Sequence, residues 1–148
     1  MLTRSVLGLA AWQAWPVQAQ GMVSGRMLSL PQMLEPLLQG RVAQPQGLRL
    51  ELPVLADNGS LVPVRVQVDS PMTEQDHVTH IYLLSQRNPV TQMVVFHLGP
   101  WSGRAEVSAR LRLAGSQLVV ALARRSDGSF CYQSADAVVT ESACVDGS

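Results

Sequence analysis

Val62-Pro-Val-Arg-Val-Gln-Val68 puts valine at every second position, with Pro63, Arg65 and Gln67 between. Successive side chains on a strand point to opposite faces, so this stretch predicts a strand with one face buried and one wet. Pro63 lacks a backbone donor and belongs at a strand edge or an unpaired position. Upstream, Leu48, Leu50 and Leu52 alternate with Arg49 and Glu51, a second strand of the same kind. Asp57-Asn-Gly-Ser60 between the two is turn chemistry.

Downstream, apolar-rich runs follow at Val78–Leu84, Met93–Leu98, Ala105–Leu113, Leu118–Ala123 and Phe130–Thr140. Asn88-Pro89, Gly99-Pro100, Ala114-Gly-Ser116 and Ser126-Asp-Gly-Ser129 separate them. About seven short strands with turn signals every 8–12 residues or so predict a mainly β fold, an antiparallel sandwich of immunoglobulin type. The chain has no second helix of any length, which argues against a parallel α/β sheet.

Only one segment before the strands has helical spacing. Met27, Leu28, Leu30, Met33, Leu34, Leu37 and Leu38 recur at intervals of three and four, predicting one apolar helix face over 27–38. Ser29 with Pro31 suits its start and Gly40 its end. Gln44-Pro-Gln-Gly47 reads as a connector. Ahead of the helix, Arg4 and the apolar Val6-Leu-Gly-Leu-Ala-Ala11 precede Pro16-Val-Gln-Ala19. That order predicts an export signal over 1–19, cut after Ala19 and delivering the protein to the periplasm. The other reading is a short amphipathic helix with Trp12 and Trp15 on the core. The remaining boundaries are 20–47 for the helix and connector, 48–141 for the sandwich, and 142–148 for a tail.

The chain has 148 residues, 47% hydrophobic and 15% charged, with eleven basic and eleven acidic residues. All eleven basic residues are arginine. A zero net charge offers no basic surplus for nucleic acid. No apolar run is long enough to span a bilayer, so no membrane role is expected. Two cysteines, Cys131 and Cys144, are too few for a disulfide framework or a four-ligand zinc site, and no metal or cofactor is expected.

Cys144 lies four residues from the end, in Thr140-Glu-Ser-Ala-Cys-Val-Asp-Gly-Ser148. Its neighbours are small or polar, so the expected segment is a mobile arm with an exposed thiol. Such an arm can deliver sulfur into another protein's pocket. It suits a catalytic nucleophile poorly, because that role needs a fixed base and oxyanion site. A stray terminal cysteine or half of a disulfide is the plainer alternative.

Several segments together resemble the SoxY family, the sulfur carriers of thiosulfate oxidation. They are Leu52-Pro-Val-Leu-Ala-Asp-Asn-Gly-Ser-Leu-Val-Pro-Val64, Asp69-Ser-Pro-Met72, Val78-Thr-His-Ile-Tyr-Leu83, Asn88-Pro89, Val107-Ser-Ala-Arg-Leu-Arg-Leu-Ala114 and Arg125-Ser-Asp-Gly-Ser129. The resemblance covers about 27–144. It implies an exported carrier with an immunoglobulin-like fold, paired with a SoxZ-like β protein. It also implies transient contacts with SoxAX, which attaches thiosulfate oxidatively, SoxB, which hydrolyses off sulfate, and SoxCD-type enzymes. The family's functional residue is a cysteine in a glycine-rich C-terminal tail, and only Cys144 matches it. Here the tail has one glycine where the family usually has four, and Val145 and Asp146 follow the cysteine. Asp146 disfavours the thiolate. The family leader usually carries a twin arginine, where this one has Arg4 alone.

The other candidates are weaker. His77 and His80 are three apart at a strand start, on opposite faces, and do not chelate one ion. His97, between Phe96 and Leu98, reads as a strand residue at the core boundary. Trp101 is either a loop anchor on the sandwich or an interface residue. Met72 and Met93 read as packing. A Cys131–Cys144 disulfide would need a chain reversal near Ser134-Ala135-Asp136, because an extended run separates the sulfurs by roughly 40 Å. No nucleophile, base and orienting group assemble into an enzyme site. The readings left are a covalent sulfur carrier on Cys144, a structural immunoglobulin-like module that uses Cys144 for dimerisation, and a thiol hydrolase. The arm disfavours the last, since a mobile nucleophile loses orientation.

Overall fold

A computed structural model describes residues 27–141; the expected export signal and the tail 142–148 lie outside them. The elements run α1 (Leu30–Leu38), β1 (Ala43–Gln44), β2 (Leu48–Glu51), β3 (Leu55–Asn58), β4 (Val62–Val68), β5 (Val78–Ser85), β6 (Gln92–His97), β7 (Glu106–Leu111), β8 (Gln117–Arg125) and β9 (Phe130–Glu141).

The valine alternation of β4 acts as its periodicity requires. Val62, Val64, Val66 and Val68 are buried and Pro63 and Arg65 face solvent. β4 is the middle of a three-stranded sheet, β2-β4-β7. Pro63 is nonetheless not opposite β2, because that ladder stops at the Glu51–Arg65 pair. Pro63 pairs only with Arg110 on β7. The missing donor therefore sits where a central strand has just one neighbour.

The second sheet has the order β1-β9-β8-β5-β6, with β3 also on β9. Val78, Ile81 and Leu83 of β5 and Val119, Ala121 and Ala123 of β8 meet the valines of β4 in one core. Leu84, Val120, Leu122 and Phe130 point the other way and are covered by Met33 and Leu34 of α1. This explains why Leu118-Val-Val-Ala-Leu-Ala123 does not alternate: both its faces are buried, as for a strand between two layers. Each such fully buried Val or Leu contributes roughly 1.5–3 kcal/mol.

The helix begins at Leu30 rather than Met27, because Ser29 caps it. The Ser29 amide and hydroxyl both donate to Gln32 Oε1, at 2.9 and 3.1 Å. It ends with Gln39 and Gly40 in left-handed conformations (φ 49° and 83°), a common helix stop.

The immunoglobulin-like sandwich stands, with nine strands among the described residues rather than about seven. The two additions are β1 and β3, and both pair with β9 in parallel, so the larger sheet is mixed rather than wholly antiparallel. The expected connector, Gln44 to Gly47, starts on the second residue of β1. The expected turn at Asp57–Ser60 begins as strand, and only Gly59 and Ser60 turn, with the Ser60 amide donating to Asn58 Oδ1 at 2.7 Å.

Two buried polar side chains, Ser85 and Gln117, lie at one end of the core. The Ser85 hydroxyl donates to Gln117 Oε1. Gln117 Nε2 donates to Asn88 Oδ1 at 3.0 Å and the Gly115 carbonyl at 3.1 Å. Asn88 Nδ2 donates to the Arg112 carbonyl at 2.7 Å. Satisfied in this way, the network ties two loops together without an orphaned buried group.

Candidate functional site

Cys144 lies outside the described residues, so the site is built from the strand that carries it. β9 is long because it has neighbours along its whole length. β8 pairs with it from Phe130 to Ala137, and β3 then takes over from Val138 to Glu141. The Val138 amide donates to the Val54 carbonyl and the Gly59 amide to the Glu141 carbonyl, both at 2.9 Å. The Thr140 hydroxyl donates to the Asp57 carbonyl at 2.8 Å. The Val139 amide donates to Ser116 Oγ at 2.9 Å, and the Gly59 carbonyl receives the Leu113 amide at 2.7 Å. The last described residue is therefore fixed to the body on both sides of the strand end. Residues Asp57 to Gly59 supply this anchor, and a turn reading of Asp57–Ser60 hides it. The apolar Leu55-Ala56 just before it is the signal a strand reading could have used.

Cys131 sits at the opposite end of β9. It is buried, with no disulfide partner among the described residues. Burial pushes its thiol up, and the Arg125 guanidinium works against that shift. A thiol held protonated is a poor nucleophile and metal ligand. A bridge to Cys144 would need a reversal at Ser134–Asp136. These residues instead pair in register with Val120, Val119 and Leu118. Ten residue steps of strand separate Cys131 from Glu141, about 33 Å. Three further residues return at most about 10 Å.

His77 precedes β5, and the register of that strand shifts between Val78 and His80. His77 Nδ1 lies 2.9 Å from the Thr73 carbonyl. His80 Nδ1 lies 2.9 Å from Thr79 Oγ1. The structure adds a grouping that spacing along the chain does not reveal: His97 lies directly across from His80 on β6. The His80 and His97 rings meet edge to face at 4.7 Å, and His80 stacks on Tyr82 at 5.7 Å. Among the described residues no group of three or more His, Cys, Asp or Glu side chains is placed to hold a metal ion.

Desolvation, then the neighbouring His97 and Arg124, lower the pKa of His80 below its ordinary 6.5. A base with a lowered folded pKa leaves the unfolded chain binding more protons. Its contribution to stability is complete above the unfolded value and is lost as pH falls through the folded one. Melting temperature is therefore expected to fall between about pH 7 and 5, and His80→Gln to flatten that part of the profile. An unchanged slope in the variant would remove His80 as the cause.

Trp101 is 83% exposed. Its ring folds back over Gly99, where an added Cβ would meet ring atoms at 2.1 Å. It anchors its own loop rather than the sandwich, and leaves most of the ring free. Met72 is buried and its sulfur accepts the Val78 amide at 3.4 Å, a packing role.

The family model of the sulfur oxidation protein SoxY matches residues 35–144 of this sequence. The chain belongs to the SoxY family. The match ends on Cys144 itself. The sulfur carrier protein SoxY from Chlorobium limicola f. thiosulfatophilum is similar in structure, with a TM-score of 0.60 and 22% identity over 72% of this chain and 87% of that one. Two further structures share the fold. The superoxide reductase (neelaredoxin) from Ignicoccus hospitalis has a TM-score of 0.55 and 17% identity, over 64% of this chain and 80% of that one. A putative superoxide reductase from Thermotoga maritima has a TM-score of 0.57 and 20% identity, over 66% and 89%. At these identities all three likenesses concern the fold. No curated protein matches the sequence. Membership of the SoxY family makes this a sulfur-oxidation protein, and the resemblance read from the sequence segments holds.

Proposed function

We propose that this SoxY protein is a periplasmic covalent carrier, not an enzyme, that holds thiosulfate-derived sulfur on Cys144 and presents it to Sox enzymes. The observation that carries this reading is the family match running through 144, the position of the tail cysteine. The anchoring of Glu141 to Gly59 supports it. It fixes the base of a segment in which Cys144 reaches at most about 10 Å from the body. The buried Cys131 leaves Cys144 as the thiol for chemistry.

The attachment the family implies is an oxidation. Cys144 thiolate and thiosulfate form one S–S bond, giving Cys–S–S–SO3⁻, and two electrons pass to a SoxAX-type cytochrome. Water then displaces the terminal group, giving Cys–S–S⁻, sulfate and two protons at a SoxB-type hydrolase. The remaining sulfane sulfur goes to a SoxCD-type enzyme. The carrier supplies the attacking sulfur and holds the intermediate, while catalysis belongs to the partners. A SoxZ-like β protein is the proposed standing partner, forming a heterodimer.

Protein isolated from the periplasm of cells growing on thiosulfate is expected to carry sulfane or thiosulfonate adducts on the Cys144 peptide, read by intact mass and peptide mapping without reductant. An exposed thiol is a few per cent thiolate at neutral pH, enough to react with sulfur electrophiles. Finding only free thiol at Cys144 would overturn the carrier reading, and the protein's recovery from the cytoplasm would overturn the location.

A further inference from the structure

A cleft of about 540 Å³ opens where the last strands of the two sheets, β6 and β7, meet. Met93, Val94, Ala109 and Leu111 give it an apolar floor. Arg110 and Arg112 line the same cleft and are exposed. None of its described lining residues is an aspartate or glutamate. Among the described residues neither arginine lies within ion-pair distance of a carboxylate; the pairs that form are Arg65–Glu106 and Arg125–Asp76. A third guanidinium, that of Arg87, covers Gly115 close by, where an added Cβ would meet its Nη1 at 2.7 Å. Two unpaired cations over an apolar floor suit an anion that has an apolar body.

This cleft lies beside the root of the tail. The Gly59 amide donates to the Glu141 carbonyl at 2.9 Å, and the Leu113 amide donates to the Gly59 carbonyl at 2.7 Å. Two such strand spacings put Leu113, the residue after Arg112, about 10 Å from Glu141. Cys144 follows Glu141 by three residues, a reach of at most about 10 Å. An arginine side chain and the two sulfur atoms of an adduct are long enough to bridge what remains. The acids at this end, Asp57 and Glu141, belong to the β3–β9 ladder and not to the cleft.

We propose that the cleft between β6 and β7 binds a sulfane chain ending in a sulfonate, and that it receives the Cys–S–S–SO3⁻ group formed on Cys144. The sulfonate oxygens accept charge-assisted hydrogen bonds from Arg110 and Arg112. The sulfane sulfur is apolar and polarizable, and lies against Met93 and Val94. This site rests on the carrier reading of Cys144. It gives the loaded group a resting place on the carrier's own body, where small thiols reach its S–S bond less easily. It also separates the loaded arm from the free one, because the free thiol brings no sulfonate to the two arginines.

The test loads the mature full-length protein with tetrathionate and removes the excess. The Cys144 thiolate attacks a central sulfur of the reagent; one S–S bond forms, one breaks, and thiosulfate leaves with the electron pair. Peptide mapping places the adduct. NMR is then expected to show shifts of the Arg110 and Arg112 Nε–H and Met93 methyl signals, reversed by reductant. Dithiothreitol is expected to strip the adduct about 10-fold faster from the Arg110→Gln/Arg112→Gln double variant than from the wild type, and the wild-type rate to rise with salt. Both arginines are exposed, so the double variant keeps the fold. Arg104→Gln, at the other end of β7, should leave the rate unchanged. If Cys144 takes up no adduct, the carrier reading falls and this site with it. If the adduct forms but shifts no cleft signal, or is stripped equally fast from wild type and double variant, the site is overturned and the carrier reading stands. An equal effect of Arg104→Gln would reduce the result to overall charge and overturn the site. Arginine signals already in the loaded position in Cys144→Ser would give the cleft to the tail's own Asp146, and overturn it as well.

Discussion

Changing Cys144→Ser is expected to abolish sulfur loading and leave the melting temperature in place. Loading requires a thiolate, which serine cannot supply near neutral pH. Cys131 cannot stand in, because it is 3% exposed at the far end of β9 and burial holds it protonated. Stability should move by no more than about 0.5 kcal/mol, as for sites away from the core. The core of the described body closes without that tail: the inter-sheet cluster and the cluster under α1 are made of residues from Met33 to Ala137. Mass spectrometry and thermal unfolding of the same samples read both halves of the result. A marked loss of melting temperature would make Cys144 a structural bridge. Unchanged loading would remove carriage from this cysteine and leave the structural module.

Leu83→Ala is expected to do the reverse. Leu83 is fully buried on β5, between Val94 and Ala121 in its sheet, and belongs to the inter-sheet cluster. Truncation loses the transfer energy of the removed methyl groups and leaves a cavity that two hydrogen-bonded neighbours cannot collapse. The expected loss is about 2–5 kcal/mol, a large part of the roughly 5–15 kcal/mol that holds such a domain together. Urea unfolding checks it, while the folded fraction should still load sulfur on Cys144. A loss below about 1 kcal/mol would mean that the seam between the sheets repacks freely. Together the two variants separate the body, which folds, from the tail, which is proposed to carry sulfur.

Much of this division was legible in the sequence. Val62–Val68 alternates because one face of β4 is buried and one is not, and that is a local property that needs no knowledge of the neighbour. Ser29 with Pro31 marks the helix start by chemistry within one turn. The tail cysteine, its small neighbours and the family segments are equally local, so the candidate carrier residue follows from the amino-acid order alone.

Tertiary structure decided what depends on distant partners. Leu118–Ala123 shows no period because α1 covers the face that would otherwise be wet, and only packing tells which side each residue takes. β1 has two residues and no period to read; β3 ends in Asp-Asn, the chemistry of a turn. Both become strands because β9 offers them a ladder about 80 residues away, as with the Thr140–Asp57 bond across 83 positions. The same long-range order sets Cys131 inside the body and fastens Glu141 beside Gly59. It leaves β6, as apolar in sequence as a buried strand, at an edge. Alternation records how many faces of a strand are covered, but not by which element, and strand pairing is fixed only when remote segments meet.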